Sequence, residues 1–184
     1  MGYWALAEMV RSRAGIVEDE DADAARAKLR ASVEEHVLDE RERRLVEPRL
    51  AHLLGLEERT ATDLADLFSG WRLYFERLAK QAGVVLVFED LQWADSGLLD
   101  FIEYLLDWSA DFPIFILALG RSELLAARPE WEPRISLGPL PEPAMAELLA
   151  GLVPGLPEDL AGEIRARSEG GAPVCGRNRT HAAR

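Results

Sequence analysis

The sequence predicts an α/β protein in which a helical first half leads into a parallel sheet. Apolar residues recur at helical spacing through most of residues 1–82. Val84–Phe88 is an uninterrupted apolar run rich in β-branched residues, the pattern of a strand covered on both faces of a parallel sheet. Pro113–Leu119 is a second run of this kind, and the stretch between them is long enough for a crossover helix. Together these segments predict a βαβ unit.

Four helices are predicted before the first strand. Asp39 is a plausible N-cap for the third helix, and Thr62 or Asp63 for the fourth, because their side-chain oxygens can accept hydrogen bonds from the first free backbone N–H groups. Pro48 should bend or interrupt the third helix, since proline lacks the backbone donor. The predicted helices span Tyr3–Ile16, Ala25–Leu38, Glu40–Leu54 and a segment ending at Lys80, and the last contributes Trp71, Tyr74 and Phe75 to the core.

Shorter elements are predicted after the first strand. Asp95 and Ser96 begin the crossover helix, whose apolar residues fall on one side. Arg134–Leu137 is a candidate third strand. Leu140–Leu152 and Pro157–Arg167 follow as two small helices separated by proline-containing segments.

Composition and charge exclude several classes of function. The chain of 184 residues has a net charge of −12, so its field repels nucleic acid and direct DNA or RNA binding is not expected. The single Cys175 cannot form an internal disulfide, which fits a reducing cytoplasm. The histidines are scattered without ligand spacing, which argues against a zinc site. No apolar run approaches the roughly 20 residues that span a bilayer, so a cytoplasmic protein without a membrane segment is predicted.

Charged residues follow both predicted strands. Glu89 and Asp90 come directly after the first strand, and Arg121 follows the second. In an open parallel sheet, ligands bind beyond the carboxyl ends of the strands, so these groups are candidates for one shared crevice. Carboxylates hold hydrated Mg²⁺ or orient a water molecule, and a guanidinium stabilises charge on a γ-phosphate. The alternative is an ordinary pair of strand ends that meet water.

Four motifs, in order along the chain, resemble those of bacterial STAND-type ATPases within the AAA+ and P-loop superfamily. The string VVLVFEDLQWAD resembles the Walker B strand and the L-H/Q-W-A-D stretch that follows it. Ile116–Leu124 is similar to the next strand with its sensor arginine, and Leu137–Leu140 to the L-x-P-L stretch that opens a helical lid. Gly171–Pro173 resembles the G-x-P signature whose proline lies near the adenine. The resemblance covers roughly Tyr3 to Pro173.

The resemblance implies roles for individual residues. Glu89 stands where the family usually has the Asp that holds Mg²⁺ through water, and Asp90 where a second acid positions the attacking water. The extra methylene of Glu89 leaves open which acid has which role. Arg121 falls on the sensor position that reads the γ-phosphate. Gly171 and Pro173 would contact the nucleotide, and ATP and Mg²⁺ are the implied cofactors of the intact parent.

Two other motif residues have ordinary structural interpretations, which we favour. Trp93 is expected to pack against neighbouring apolar groups, and Asp95 to cap the crossover helix. The sequence also departs from the family pattern, because it contains no G-x-x-x-x-G-K-[ST] loop to cradle phosphates. The chain is therefore expected to begin inside the domain and to be inactive in ATP hydrolysis by itself.

The implied organisation is a partial P-loop NTPase (AAA+-like) sheet with a helical insert and the start of a helical lid. Residues 1–138 form an incomplete nucleotide-binding α/β core, in which residues 1–82 are helical and residues 83–138 hold the Walker B and sensor strands. Residues 139–173 form the start of the helical lid, and residues 174–184 form an aberrant basic tail. A frameshift near Gly170 and Gly171 is our hypothesis for that tail; a genuine basic tail is the alternative.

The predicted function is that of a fragment of an ATP-binding and ATP-hydrolysing regulatory domain in signal transduction. The resemblance implies a covalently linked output domain, either a nucleotide cyclase or a helix-turn-helix module, and leaves oligomerisation open. A different class of function is a non-catalytic, helical and acidic interaction module. A degenerate ATPase that binds partners through surfaces left by the missing strands is a third hypothesis.

Overall fold

The structure, a computed structural model, describes residues 2–57 and 63–168. The chain divides into two compact units, Met1–Glu130 and Trp131–Arg184. Helices predominate among the described residues, and two parallel strands form a small sheet, in agreement with the α/β class. The first unit contains, in order, α1 (Trp4–Ala14), α2 (Ala22–His36), α3 (Glu40–Leu53), α4 (Leu64–Gln81), β1 (Val84–Phe88), a 3₁₀ turn (Leu91–Trp93), α5 (Ser96–Trp108), β2 (Ile114–Ala118) and α6 (Ser122–Ala127).

Aspartate side chains begin four of these helices. Each carboxylate accepts one or two hydrogen bonds from backbone N–H groups of the first turn, which otherwise lack partners. The caps predicted at Asp39, Asp63 and Asp95 are confirmed, and Asp21 caps α2 in the same way. Pro48 lies inside α3, which continues through it to Leu53, so the predicted interruption does not occur.

Aromatic side chains on α4 and α5 form a cluster within the core of the first unit. Trp71 and Phe101 are fully buried, with ring centroids 5.6 Å apart, and Phe68 lies 5.2 Å from Phe101. The indole N–H of Trp71 donates to the carbonyl of Arg49 at 2.8 Å, which ties α3 to the same cluster. The core positions predicted for Trp71, Tyr74 and Phe75 are confirmed.

A buried histidine links three helices. Arg13 Nη2 on α1 lies 3.0 Å from Nε2 of His36. Because a guanidinium can only donate, Nε2 is the acceptor, and Nδ1–H of His36 donates to Oε1 of Gln81 at 2.9 Å. The amide of Gln81 also donates to the carbonyl of Glu35 at 3.3 Å. The end of α4 is thus attached to α2 by a hydrogen-bonded side-chain network.

The sheet is covered on one face and open on the other. Leu86 and Phe88 are buried, and α4 contacts both strands. Their neighbours Val85 and Val87 are exposed, as are Phe115 and Leu117 on β2; Val85 and Phe115, which pair across the strands, are 64% and 61% exposed. The expectation of a sheet covered on both faces is wrong for the described residues, since their helices cover only one of its sides.

The described residues of the second unit include two helices, α7 (Glu142–Leu152) and α8 (Glu158–Ser168), which pack against each other. Both helices agree with the predicted segments. The third strand predicted at Arg134–Leu137 is wrong: this segment has no regular structure, and Ile135 is 88% exposed. A strand needs a hydrogen-bonding neighbour, and the structure pairs only β1 with β2 within the described residues. The basic tail at residues 174–184 lies outside the described residues.

Across residues 2–57 and 63–168, no helix combines the length and apolar character that crossing a bilayer requires.

A bidentate ion pair between Glu42 and Arg77 joins α3 to α4. Arg77 Nε donates to one oxygen of Glu42 at 2.6 Å, and its Nη2 donates to the other. This hydrogen bonding lowers the pKa of Glu42 and raises that of Arg77. The Glu42 side chain is 29% exposed, so solvent screens the pair only in part.

We predict that Glu42→Gln lowers the free energy of unfolding by about 1 kcal/mol at neutral pH. A carboxyl whose pKa is depressed by folding stabilises the protein above its unfolded-state pKa and loses that contribution as the pH falls through the folded-state value. The deficit should therefore shrink towards about pH 3. Urea unfolding at both pH values measures it. Glu40→Gln is the control, because the Glu40–Arg44 pair is solvent-exposed; equal losses in the two variants would contradict the prediction.

Candidate functional site

The candidate site lies where the two strands end. The parallel register pairs Val84 with Ile114 and Phe88 with Ala118, so both carboxyl ends fall at the same edge of the sheet. Backbone bonds continue beyond the strands, because Leu119 N–H donates to the Phe88 carbonyl at 2.8 Å. The N–H of Leu91 then donates to the Leu119 carbonyl at 3.0 Å. The two loops that follow the strands are therefore held side by side.

Asp90 has an unusual backbone conformation. Its φ angle is 56°, in the left-handed region, and the 3₁₀ turn begins at the next residue. Asp and Asn adopt this conformation more readily than most residues, because their short side chains bond locally. The left-handed residue turns the chain away from β1 at the point where its carboxylate reaches the strand edge.

Gln92 connects the two loops through its side-chain amide. Its Nε2 donates to Oδ1 of Asp90 at 3.0 Å, and its Oε1 accepts from the backbone N–H of Arg121 at 3.3 Å. Sequence reasoning included Gln92 in the Walker B-like string but assigned it no role. The available signal was its chemistry, since an amide both donates and accepts.

Glu89, Asp90 and Arg121 line one hollow of about 290 Å³, together with Gln92, Leu119 and Gly120. The structure thus brings together the three catalytic and metal candidates that the sequence nominates on its two strands. All three charged side chains are exposed to solvent. Within the described residues, neither the Glu89 carboxylate nor the Arg121 guanidinium has a hydrogen-bonding partner.

The donor set fits one class of cation. Among the residues that the structure describes, no group of three His, Cys, Asp or Glu side chains could hold a metal ion. Two solvated carboxylates do not make a closed zinc or calcium cage. They are suited to Mg²⁺, which keeps several waters and takes one or two carboxylates together with phosphate oxygens. Glu89 and Asp90 could therefore hold hydrated Mg²⁺.

Of the two other motif residues with structural expectations, Asp95 is as predicted and Trp93 is not. Asp95 caps α5, its Oδ1 accepting from the N–H of Leu98 at 3.0 Å. Trp93 does not pack as expected, because its side chain on the 3₁₀ turn is 79% exposed. Gly171 and Pro173, the residues nominated for nucleotide contact, lie outside the described residues.

A second, larger hollow of about 470 Å³ lies on the second unit, along one side of α7. Its lining is mainly apolar and includes Leu140, Leu148 and Leu152, with Glu147 as its charged residue. It lacks the combination of two carboxylates and a guanidinium that lines the hollow at the strand ends. The smaller hollow is therefore the better candidate for chemistry.

Comparisons with protein-family models, curated proteins and solved structures found no match for the chain.

We predict that Asp90→Ala is about 1 kcal/mol less stable than Asp90→Gly. Both variants lose the carboxylate and its bond to Gln92, so their difference isolates the backbone conformation at this position. Glycine adopts a positive φ angle without a steric penalty, whereas the Cβ of alanine opposes it. Urea unfolding of the two variants gives the difference directly. An alanine variant as stable as the glycine variant would show that the left-handed conformation is not maintained.

Proposed function

We propose that this chain carries the metal- and phosphate-facing part of a regulatory ATP-binding domain. The observation that supports it is the shared hollow, in which Glu89 and Asp90 meet Arg121 at the carboxyl ends of adjacent parallel strands. This edge is where open α/β sheets bind ligands. Two acids can take a hydrated cation while a nearby guanidinium takes the anion that accompanies it. A phosphate group with its Mg²⁺ presents this pair of charges.

The resemblance to STAND-type ATPases of the AAA+ and P-loop superfamily gives the proposal its chemistry. Between them, Glu89 and Asp90 would hold hydrated Mg²⁺ and orient the water that attacks the γ-phosphate. Arg121 would lie against the γ-phosphate and stabilise its charge. When bound, Mg²⁺ neutralises charge on the phosphate oxygens. None of these roles requires an ion pair between the acids and Arg121. Consistent with this, the side chains of Glu89 and Arg121 have no hydrogen-bonding partner among the described residues.

The proposed ATP-binding domain lacks a phosphate-binding loop. The 184 residues contain no G-x-x-x-x-G-K-[ST] loop, whose backbone N–H groups and lysine hold the phosphates in this superfamily. We therefore do not expect ATP hydrolysis by this polypeptide alone. In a parent protein with that loop, ATP binding would favour one arrangement of the domain, and a covalently linked cyclase or helix-turn-helix domain would respond to it in the cytoplasm.

A second candidate function is a non-catalytic interaction module. The observations that favour it are the helical core of the first unit and the exposed apolar face of its sheet, formed by Val85, Val87, Phe115 and Leu117. An exposed apolar group of this kind is typical of a surface that another protein element covers. The two candidates differ in whether Asp90 is needed for nucleotide turnover.

We predict that Asp90→Asn in the full-length parent abolishes ATP hydrolysis and leaves ATP binding within about threefold. The amide keeps the shape of the carboxylate but cannot accept a proton from water. Genomic DNA on both sides of the open reading frame defines the parent, and steady-state phosphate release and nucleotide binding are then measured. Glu123→Gln is the control, because Glu123 follows Arg121 on α6 without lining the hollow. Retained turnover by the Asp90 variant would refute the proposal.

We predict that the 184-residue chain self-associates through the open face of its sheet. The double variant Val85→Thr and Phe115→Thr should shift it towards monomer in sedimentation velocity, because it removes two neighbouring exposed apolar side chains. Val17→Thr is the control, as Val17 is also exposed but lies outside the sheet. An unsubstituted chain that is monomeric and melts cooperatively would contradict this prediction.

A further inference from the structure

We infer that Gln92 is a positioning residue that holds the Asp90 carboxylate in the orientation that binds a hydrated divalent cation. This inference rests on the proposed function, because it concerns the cation site of the same hollow. It adds a residue that acts through Asp90 and makes no claim that Gln92 itself contacts the cation or the nucleotide.

The orientation of the Gln92 amide is determined by its two partners. The carboxylate of Asp90 can only accept a hydrogen bond, so the NH₂ group of Gln92 faces it at 3.0 Å. The backbone N–H of Arg121 can only donate, so the amide oxygen faces it at 3.3 Å. Reversing the amide would place two donors together and two acceptors together. Only one arrangement satisfies both contacts.

The Gln92 amide holds the Asp90 carboxylate in one orientation. Gln92 occupies Oδ1 of Asp90, which leaves Oδ2 as the oxygen without a partner among the described residues. The backbone near Asp90 is also held, because the Phe88 carbonyl accepts from Leu119 N–H and Leu91 N–H donates to the Leu119 carbonyl. An exposed aspartate otherwise samples several rotamers, and fixing it in advance reduces the entropy lost when a cation binds.

Gln92 also connects the acids to the loop that carries Arg121. Its second bond ends on the peptide N–H of Arg121, on the loop after β2, 29 residues further along the chain. One side chain therefore sets the Asp90 carboxylate relative to the backbone that presents the guanidinium. Hydrogen-bonding partners of this kind around metal ligands commonly change metal affinity by about 10- to 100-fold when removed.

The test uses the full 184-residue chain and Mn²⁺ alone as the probe, with free Mn²⁺ counted by electron paramagnetic resonance. Mn²⁺ takes the same carboxylate and water ligands as Mg²⁺. Acidic residues are numerous, so the binding assigned to the hollow is the part that Asp90→Asn removes. We expect Gln92→Ala to weaken that part by about tenfold. Gln92→His should restore it to within about threefold at pH about 7.5, because a neutral imidazole keeps one donor and one acceptor.

A matched control separates positioning from stability. Gln81→Ala also removes a glutamine that makes two hydrogen bonds, to His36 and Glu35, away from the hollow. Both alanine variants should lose about 1 kcal/mol in urea unfolding, but only the Gln92 variant should lose Mn²⁺ affinity. A purely structural role for Gln92 predicts unchanged affinity in both, and that result would overturn the inference.

The outcomes also distinguish the inference from the proposed function. If Asp90→Asn removes Mn²⁺ binding and Gln92→Ala does not, the cation site stands and the role of Gln92 is refuted. If Asp90→Asn removes none of the Mn²⁺ binding, the cation site itself is refuted, and the inference is refuted with it.

Discussion

The candidate site depends on the parallel pairing of β1 with β2. Because Phe88 lies opposite Ala118, the residues that follow each strand emerge at the same edge, and Glu89 and Asp90 meet the loop that carries Arg121. A shift of one residue in this register would reverse the faces of one strand relative to the other. Leu86 and Phe88 would then leave the core and the smaller Val85 and Val87 would replace them, so burial of the larger pair favours this geometry of the charged edge.

The same sheet explains why the first unit has an apolar surface. Helix α4 contacts both strands, while the other face presents Val85 and Phe115 to solvent. In most parallel sheets, helices cover both faces. The described residues therefore contain one covering layer for a sheet whose sequence is apolar on both sides. This pattern supports the proposal that the chain is part of a larger α/β domain, and equally explains why an interaction module remains the competing function.

Local signals in the sequence predict the elements well. The apolar run Val84–Phe88 coincides with β1, and Asp39, Asp63 and Asp95 are the helix caps that their spacing indicates. These elements can be predicted because the residues that determine them are close together in the sequence. Pro48 and Arg134–Leu137 differ, because whether a proline is tolerated or a strand finds a neighbour depends on distant parts of the chain.

The site is predicted less completely than the elements. The strand ends identify Glu89, Asp90 and Arg121, because their positions follow from the order of the strands. The role of Gln92 depends on a hydrogen bond to a residue on the other loop, and the exposure of Trp93 depends on the direction taken after the left-handed Asp90. Neither follows from spacing along the chain.

We propose that a cation binds at the joined strand ends. The most direct measurement is paramagnetic broadening of backbone amide signals in the ¹⁵N-labelled chain at low Mn²⁺ concentration. If the cation binds there, signals of residues 89, 90, 92 and 119–121 should broaden first, because these residues line the hollow. Broadening that begins in the acidic segment Glu18–Asp23, with the strand ends unaffected, would contradict the claim.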